Sequence, residues 1–230
     1  MQRFKTPGIV LARINYAEAD RIITFLTPKH GKIRVMAKGV RKSKSKLAGG
    51  IEIFSVSDLL VLPGRGEIDT LMSARLSKYY GNIVKDLDRT NAGYDFIKTV
   101  NKAIEDDSES GYFDVLNQAF ISLNNAELSI NLIELWFQLH VLGLAGHPPN
   151  LSTDISGAKL ELNKTYNFNF DTMGFSVAAK GKYSANDIKI LRIASNAAHP
   201  QIVARVDQAD QMIKKASQLV KSILQTYIQT

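Results

Sequence analysis

Residues 29–46 read KHGKIRVMAKGVRKSKSK, and this stretch decides how the first third of the chain is interpreted. From Lys32 to Ala37 the residues alternate, which predicts a β-strand with the Lys32 and Arg34 face towards solvent. A loop punctuated by Gly and Ser follows, and a strand pattern resumes at Ile51. The stretch has no acidic residue and eight basic ones: Lys29, Lys32, Arg34, Lys38, Arg41, Lys42, Lys44 and Lys46. Such a positive field on a surface loop attracts polyanions, of which nucleic-acid phosphates are the commonest.

The net charge is unevenly distributed along the chain. Residues 1–80 hold 15 basic and 6 acidic side chains (+9), and residues 81–230 hold 14 and 16 (−2), which together give the net +7. This asymmetry indicates contact with nucleic acid or an anionic membrane. The sequence shows neither a basic amphipathic helix nor a lipidation signal, so nucleic acid is favoured over a membrane. A solvated loop that only aids solubility remains an alternative.

Composition excludes several classes of protein. The 230 residues include no cysteine, which excludes disulfides, thiolate zinc sites, iron–sulfur clusters and cysteine nucleophiles. No apolar run approaches the roughly 18 residues of a membrane span, and the N-terminus lacks the apolar core of a secretory signal. We therefore expect a cytoplasmic protein, associated with the nucleoid if its polyanion is DNA.

Short strand patterns fill the first 80 residues. They are separated by turns, of which Pro63–Gly66 is a hairpin turn carrying Arg65. The predicted strands are Gly8–Asn15, Arg21–Leu26, Lys32–Ala37, Ile51–Leu62 and Glu67–Leu76. Five short strands in so short a segment predict an oligonucleotide/oligosaccharide-binding (OB-fold) barrel.

The hydrophobic period becomes helical from about residue 80. The predicted helices are Tyr94–Ile104, Tyr112–Leu123, Leu128–Leu144, Ala185–Ala194 and Val206–Ile228, with a solvated acidic loop at residues 106–109. Residues 147–183 form an irregular insert with β-like pieces at Lys159–Leu162 and Tyr166–Phe170. The prediction is an α+β chain of two domains, a barrel over 1–79 and a helical bundle over 80–230.

No catalytic constellation is evident. The four histidines, His30, His140, His147 and His199, are far apart and lack metal-binding spacing, and no phosphate-binding GxxxxGK[ST] motif occurs. The acidic pair Glu18 and Asp20 fits a turn, with Asp20 expected to pair with Arg21, and the pair Asp106 and Asp107 fits the acidic loop. We predict a protein that is not an enzyme, with no catalytic residue, metal or cofactor.

Aromatic residues are absent from residues 29–46, so base stacking there is not indicated. The barrel segment offers Phe4, Tyr16, Phe25 and Phe54, most of which are expected to fill its core. Trp136, inside an apolar helix, is likewise expected to be a core residue. Binding is therefore predicted to be mainly electrostatic and independent of sequence.

Residues 8–71 resemble the N-terminal region of the bacterial RecO recombination mediators. The segment reads GIVLARINYAEADRIITFLTPKHGKIRVMAKGVRKSKSKLAGGIEIFSVSDLLVLPGRGEIDTL. The matching pieces are Gly8–Leu11, Tyr16, Glu18–Ile22, Leu26–Thr27, His30–Lys32, Ala37–Gly39, Arg41, Lys44–Ser45, Phe54 and Gly64–Glu67. The remainder is similar in outline, with a helical bundle, Leu142–Gly146 followed by Pro149, an irregular insert and further helices.

The resemblance implies an OB-fold barrel and a helical C-terminal domain. It also implies binding of single- and double-stranded DNA, annealing of complementary strands, contact with RecR and the single-stranded DNA-binding protein, and help in loading RecA. The predicted DNA-binding residues are Lys29, Lys32, Arg34, Lys38, Arg41, Lys42, Lys44, Lys46 and Arg65. An acidic, apolar partner tail needs a cation beside an apolar pocket, and the candidates are Arg192, Arg205, Lys214 and Lys215.

One departure from the family concerns metal. Many relatives carry a four-cysteine zinc site in the insert, and the matching positions here are Thr153, Ser156, Val177 and Lys180. We therefore expect a zinc-finger-like insert that folds without metal, through packing of residues such as Tyr166, Phe168 and Phe175. An RNA- or ribosome-associated OB-fold module remains the alternative function, because both nucleic-acid backbones suit Lys and Arg.

Overall fold

The alternating segments form five strands in a computed structural model, which describes residues 2–104, 111–206 and 209–228. The strands are β1 (Phe4–Tyr16), β2 (Asp20–Thr27), β3 (Gly31–Ala37), β4 (Ser55–Leu62) and β5 (Asp69–Tyr79). They close into a barrel in the order β1-β2-β3-β5-β4. The predicted five-stranded barrel followed by a helical region is confirmed.

Register explains which side chains form the barrel core. Neighbouring strands are antiparallel except β3 and β5, whose parallel pairing at Val35–Asp69 and Met36–Thr70 closes the barrel. Alternate residues point inwards, and most of the inward apolar side chains are buried. The core includes Val10, Ile23, Phe25, Val35, Leu59 and Val61.

The strand predicted from Ile51 begins only at Ser55. Residues Ala48–Gly50 form a short 3-10 turn, and Phe54 adopts a left-handed conformation with φ of 56°. Ile51 and Phe54 are nevertheless 2% and 1% exposed. Their apolar character serves packing rather than strand pairing, and the sequence pattern alone does not separate the two.

The first two helices are α1 (Leu87–Ala103) and α2 (Tyr112–Leu123), and they share a compact unit, Met1–Asn124, with the barrel. Phe54 joins them, because its ring lies 5.1 Å from the Tyr94 ring and 5.4 Å from the Phe120 ring. A Cβ on Gly93 would lie 2.6 Å from Phe54, so α1 needs glycine where it meets this ring. The domain boundary predicted after residue 79 stays a prediction.

Helix α1 begins at Leu87, seven residues before its predicted start at Tyr94. Asp86 caps it by accepting a hydrogen bond from the Arg89 backbone N–H at 3.0 Å. The acidic loop predicted at residues 106–109 lies outside the described residues.

The second unit, Asn125–Thr230, contains the remaining helices. They are α3 (Ile130–Leu144), α4 (Ala185–Asn196), α5 (Pro200–Val203) and α6 (Ala209–Tyr227), of which α5 was not predicted. Trp136 of α3 is a core residue as expected, 2% exposed, and its indole N–H donates to the Ala197 carbonyl at 2.8 Å. None of the helices in the described ranges is long and apolar enough to cross a membrane.

The insert contains a small antiparallel sheet in the order β7-β6-β8. Its strands are β6 (Thr165–Asn169), β7 (Gly174–Val177) and β8 (Tyr183–Ser184). Tyr166 and Phe175 are fully buried, and Phe168 meets Phe175 edge to face at 5.1 Å. The predicted strand Lys159–Leu162 does not form, since only Lys159 pairs, in a single bridge with Thr153.

Candidate nucleic-acid interface

Strand β3 carries most of the predicted DNA-binding residues on itself or at its ends. Lys29 lies exposed in the turn before β3, and Arg34 is exposed within it. The segment after β3, residues 38–46, is named the basic loop here. Its five cations are all exposed: Lys38, Arg41, Lys42, Lys44 and Lys46. None of the five forms an ion pair with a described carboxylate.

The basic loop is fixed to the β1–β2 turn by its own backbone. The Asp20 carboxylate accepts a hydrogen bond from the Gly39 N–H at 2.7 Å, and the Ala19 carbonyl accepts from the Arg41 N–H at 2.9 Å. Gly39 has φ of +64°, a conformation that glycine adopts without strain. The Arg41 guanidinium also donates to the Ala17 carbonyl at 3.4 Å. The loop therefore presents its cations from an anchored backbone.

The expected pairing of Asp20 with Arg21 is wrong. Arg21 instead donates from Nε to the Asn15 side chain at 3.0 Å, while Asp20 binds Gly39. Neighbouring residues on a strand point to opposite faces, so Asp20 and Arg21 have different surroundings. Asp20 is thus a structural acceptor that shapes the basic loop.

Lys32 does not project into solvent as predicted. Its ammonium donates to the carbonyls of Asn101 at 3.3 Å and Ile104 at 3.2 Å, at the C-terminal end of α1. Carbonyls at a helix C-terminus lack partners within the helix and attract cations. Lys32 therefore ties β3 to α1, and of the nine predicted DNA contacts it is the least suited to a phosphate.

Arg34 lies near the segment that carries Arg65, because β3 and β5 are parallel neighbours. Arg65 is in the turn before β5, and Arg34 precedes Val35, which pairs with Asp69. Arg34 also lies 3.7 Å from the exposed carboxylate of Glu67. Exposed ion pairs of this kind contribute little, so Glu67 moderates the positive charge here without cancelling it.

Most of the candidate aromatic residues are structural, as expected. Phe25 and Phe54 are 0% and 1% exposed, and the Phe4 ring packs against the His30 ring at 4.3 Å. Tyr16 differs, because it is 52% exposed on the outer face of β1. Ile14, two residues before it, is 57% exposed on the same face and was missed; the i, i+2 spacing on a strand is the signal that identifies it.

Two of the histidines, His30 and His140, have structural surroundings. The His30 backbone N–H donates to the Thr27 hydroxyl at 3.1 Å, within the β2–β3 turn. His140 Nδ1 lies 2.8 Å from the Trp136 carbonyl, and burial lowers the pKa of His140. In the described part of the chain, no three His, Asp or Glu residues are grouped so as to hold a metal ion.

The predicted partner-binding cations are dispersed over the helical unit. Arg192 donates from Nε to the Leu151 carbonyl at 2.9 Å, and Arg205 is exposed after α5. Lys214 and Lys215 are exposed on α6. Lys214 lines a groove of about 380 Å³ between α3 and α6, and the other lining residues are Asn131, Ile213, Ser217, Gln218 and Lys221.

A buried carboxylate, Asp154, organises the insert between Thr153 and Ser156, two of the four positions that the sequence comparison matched to zinc ligands. Asp154 Oδ1 accepts hydrogen bonds from the Ser156 hydroxyl at 2.6 Å, the Ser156 N–H at 2.9 Å and the Ala158 N–H at 3.0 Å. The Ser156 hydroxyl is the main cause of the lowered pKa of Asp154, and the backbone N–H groups add to it. The turn between Thr153 and Lys159 is therefore held by hydrogen bonds that the sequence pattern did not reveal.

Comparison with known proteins finds two family models along the chain. The model described as "Recombination protein O N terminal" matches residues 1–80, and the one described as "Recombination protein O C terminal" matches residues 84–230. The first unit's barrel lies within the N-terminal match.

Three relatives named DNA repair protein RecO illustrate the similarity. The chain is 36% identical to the protein of Bifidobacterium longum subsp. infantis over 156 residues, which are 66% of this chain and 65% of the relative. It is 30% identical to that of Trichodesmium erythraeum, over 82% of this chain and 68% of the relative. It is also 30% identical to that of Acetivibrio thermocellus, over 86% and 77%. The matches thus span about two thirds to three quarters of these relatives.

Proposed function

The chain belongs to the recombination protein O (RecO) family, and from this premise we propose that it is a DNA-repair mediator that is not an enzyme. In this proposal it binds single- and double-stranded DNA and anneals complementary strands. It also helps RecA load onto single strands that the single-stranded DNA-binding protein coats. The chain spans only part of its relatives, so these activities are inferred from its own residues as well as from the family.

The basic loop is the observation that carries the proposal. Five exposed cations occur in nine residues, none of them in an ion pair with a described carboxylate. Hydrogen bonds to Ala19 and Asp20 hold the loop's backbone on the barrel. Phosphate contacts of this kind give strong binding that does not depend on base sequence.

Annealing follows from charge neutralisation. Two DNA strands repel each other through their phosphates until base pairs form, and a dense cluster of cations reduces this repulsion. Lys and Arg side chains on a fixed backbone can contact phosphates of both strands without reading base edges. This supports annealing of any complementary pair and requires no bond-breaking chemistry.

We assign partner docking to the helical unit. We propose that an acidic, apolar tail of the single-stranded DNA-binding protein docks in the groove between α3 and α6, whose lining includes the exposed Lys214. Lys221 in this groove is paired with Glu134 at 3.0 Å, so Lys214 is the better cation for a tail carboxylate. Contact with RecR is proposed from family membership alone.

An annealing assay tests the proposal directly. Two complementary DNA strands, one with a fluorophore and one with a quencher, are mixed with the full chain, with and without a coat of single-stranded DNA-binding protein and with and without RecR. The bare pair is also prepared as RNA. We expect the chain to accelerate quenching on bare and coated strands, and RecR to change the rate on coated strands. Absence of acceleration on both substrates would refute the annealing role, and acceleration confined to RNA strands would favour an RNA-binding module instead.

A further inference from the structure

The outer face of β1, β2 and β3 carries a small apolar patch. Strand pairing places Ile14 opposite Ile22 and Ile22 opposite Met36, while Tyr16 pairs with Asp20 in the next outward row. Ile14 is 57% exposed and Tyr16 is 52% exposed, and Ile22 and Met36 are partly exposed. Adjacent exposed apolar side chains on one face are informative, whereas single ones are ordinary. We call Ile14, Tyr16, Ile22 and Met36 the outer patch.

Cations border the outer patch on the β3 side. Arg34 lies two residues before Met36 on β3, which places it on the same side of the strand, and Lys38 is the first residue after β3; both are exposed. Arg41 of the basic loop lies close to the end of β1, because its guanidinium donates at 3.4 Å to the carbonyl of Ala17, the residue that follows Tyr16.

Three carboxylates lie near this border, namely Glu18, Asp20 and Glu67. The Asp20 carboxylate accepts a hydrogen bond from the Gly39 N–H at 2.7 Å, which holds the basic loop. Glu18 is exposed in the β1–β2 turn. Three cations thus face three carboxylates at this border, since Arg34 lies 3.7 Å from Glu67, and the excess positive charge comes from Lys42, Lys44 and Lys46 of the basic loop.

We propose that the outer patch is a base-stacking site for single-stranded nucleic acid, with the Tyr16 ring as its platform and Lys38 and Arg41 as its phosphate contacts. This inference rests on the proposed function and deepens it. Each nucleotide combines a planar apolar base with an anionic phosphate, which matches a half-exposed aromatic ring beside fixed cations. Bases of a duplex are stacked on one another and do not offer their faces, so the site selects single strands.

The site changes the expectation of purely electrostatic binding. A stacked base adds an affinity term that salt does not screen, whereas phosphate contacts weaken as salt rises. The preference for single over double strands therefore grows with salt concentration. The aromatic contact comes from β1, outside the basic segment in which aromatic residues are absent.

The test measures binding of the full chain to three labelled probes by fluorescence anisotropy at moderately high salt. The probes are a thymidine strand of about 12 nucleotides, an abasic strand of the same length and a duplex of the same length. The variants are Tyr16→Ala, Tyr16→Phe and the control Tyr79→Ala, since Tyr79 is also half-exposed, at 50%, on a barrel strand.

We expect Tyr16→Ala to bind the thymidine strand about 5- to 10-fold more weakly, near the lower end of measured stacking contributions. Its binding to the abasic strand and the duplex is expected to change less than about 2-fold. Tyr16→Phe retains the ring and should bind like the parent, as should Tyr79→Ala.

If Tyr16→Ala lost affinity equally for all three probes, the stacking role would be overturned. An unchanged affinity of Tyr16→Ala for the thymidine strand would overturn it as well. An equal loss in Tyr79→Ala would likewise overturn the assignment to Tyr16. A parent chain that binds none of the probes, even when the salt is lowered, would refute the proposed nucleic-acid function together with this site. A parent that binds while Tyr16→Ala matches it refutes the stacking site alone.

Discussion

Replacing Arg41, Lys42, Lys44 and Lys46 with Ala removes most of the basic loop's charge while leaving its anchors in place. The loop is held by backbone N–H groups of Gly39 and Arg41, which an alanine at position 41 retains. The one side-chain hydrogen bond lost is the exposed 3.4 Å contact of Arg41 with the Ala17 carbonyl. We therefore expect the melting temperature to stay within about 2 °C of the parent.

The size of the effect follows from counterion release. Four phosphate contacts on a single strand give a slope of about −2.8 in log affinity against log salt, at roughly −0.7 per contact. Removing all four should flatten the slope by that amount. If the parent and the variant have the same affinity near 1 M salt, the variant binds about 600-fold more weakly at 0.1 M salt and about 50-fold more weakly at 0.25 M salt.

The assay is a salt titration of single-strand binding for the parent, the four-Ala variant and a matched control. The control replaces Lys98, Lys159, Lys180 and Lys189 with Ala, four exposed lysines elsewhere in the chain. It changes the net charge equally but leaves the basic loop intact. Parallel salt lines for parent and four-Ala variant would show that the loop makes no phosphate contacts, and an equal drop in the control would reduce the effect to net charge.

Four further outcomes are expected. Gly93→Ala should lower the free energy of unfolding by about 1–3 kcal/mol, because its Cβ would lie 2.6 Å from Phe54. Gly143→Ala on α3 has open space around its Cβ and should raise the free energy of unfolding by about 0.5–1 kcal/mol. Thermal melts that rank the two variants in the opposite order would contradict the packing at Phe54. Asp154→Ala should lower the melting temperature at neutral pH. The folded pKa of Asp154 lies below its usual 3.8, so the difference from the parent should shrink as the pH falls from 3.8 through the folded pKa. Purified protein should contain no stoichiometric zinc and should melt unchanged in strong chelator, and elemental analysis checks this. An acidic, apolar tail peptide should bind the full chain, and Lys214→Ala should weaken peptide binding about 10-fold while Lys189→Ala does not. Equal peptide affinities of the parent and Lys214→Ala would contradict the assignment of the tail to the groove.

Local patterns predicted the barrel because alternation and turn residues act over a few positions. The period-2 pattern of β3 and the turn at Thr27–Gly31 are complete within the segment that forms them. The roles of Lys32 and Asp20 were not accessible in this way. Lys32 binds a carbonyl 72 residues away, and Asp20 binds a backbone N–H 19 residues away. Their partners are defined only by the closed barrel and by helix α1.

Exposure was equally hard to predict for apolar residues. Phe54 and Tyr16 are both aromatic residues of the barrel segment, yet one is 1% exposed and the other 52%. Phe54 is covered by α1 and α2, which the sequence treats as separate helices. Tyr16 lies at the end of β1, beyond the part that pairs with β4, which ends at Ile9. The difference depends on which elements cover each strand end.

The two ends of β3 are fixed by different contacts, and this bears on how the cations act. At the N-terminal end, Lys32 binds the last carbonyls of α1, and at the C-terminal end, Gly39 and Arg41 bind the β1–β2 turn. A backbone already held in place loses little conformational freedom when a ligand binds, so more of each phosphate contact appears as affinity. Side chains that remain exposed and unpaired can still adjust to phosphates of either strand. A strand fixed at both ends beside exposed cations therefore suits the proposed function, in which phosphates of any sequence are bound while two strands pair.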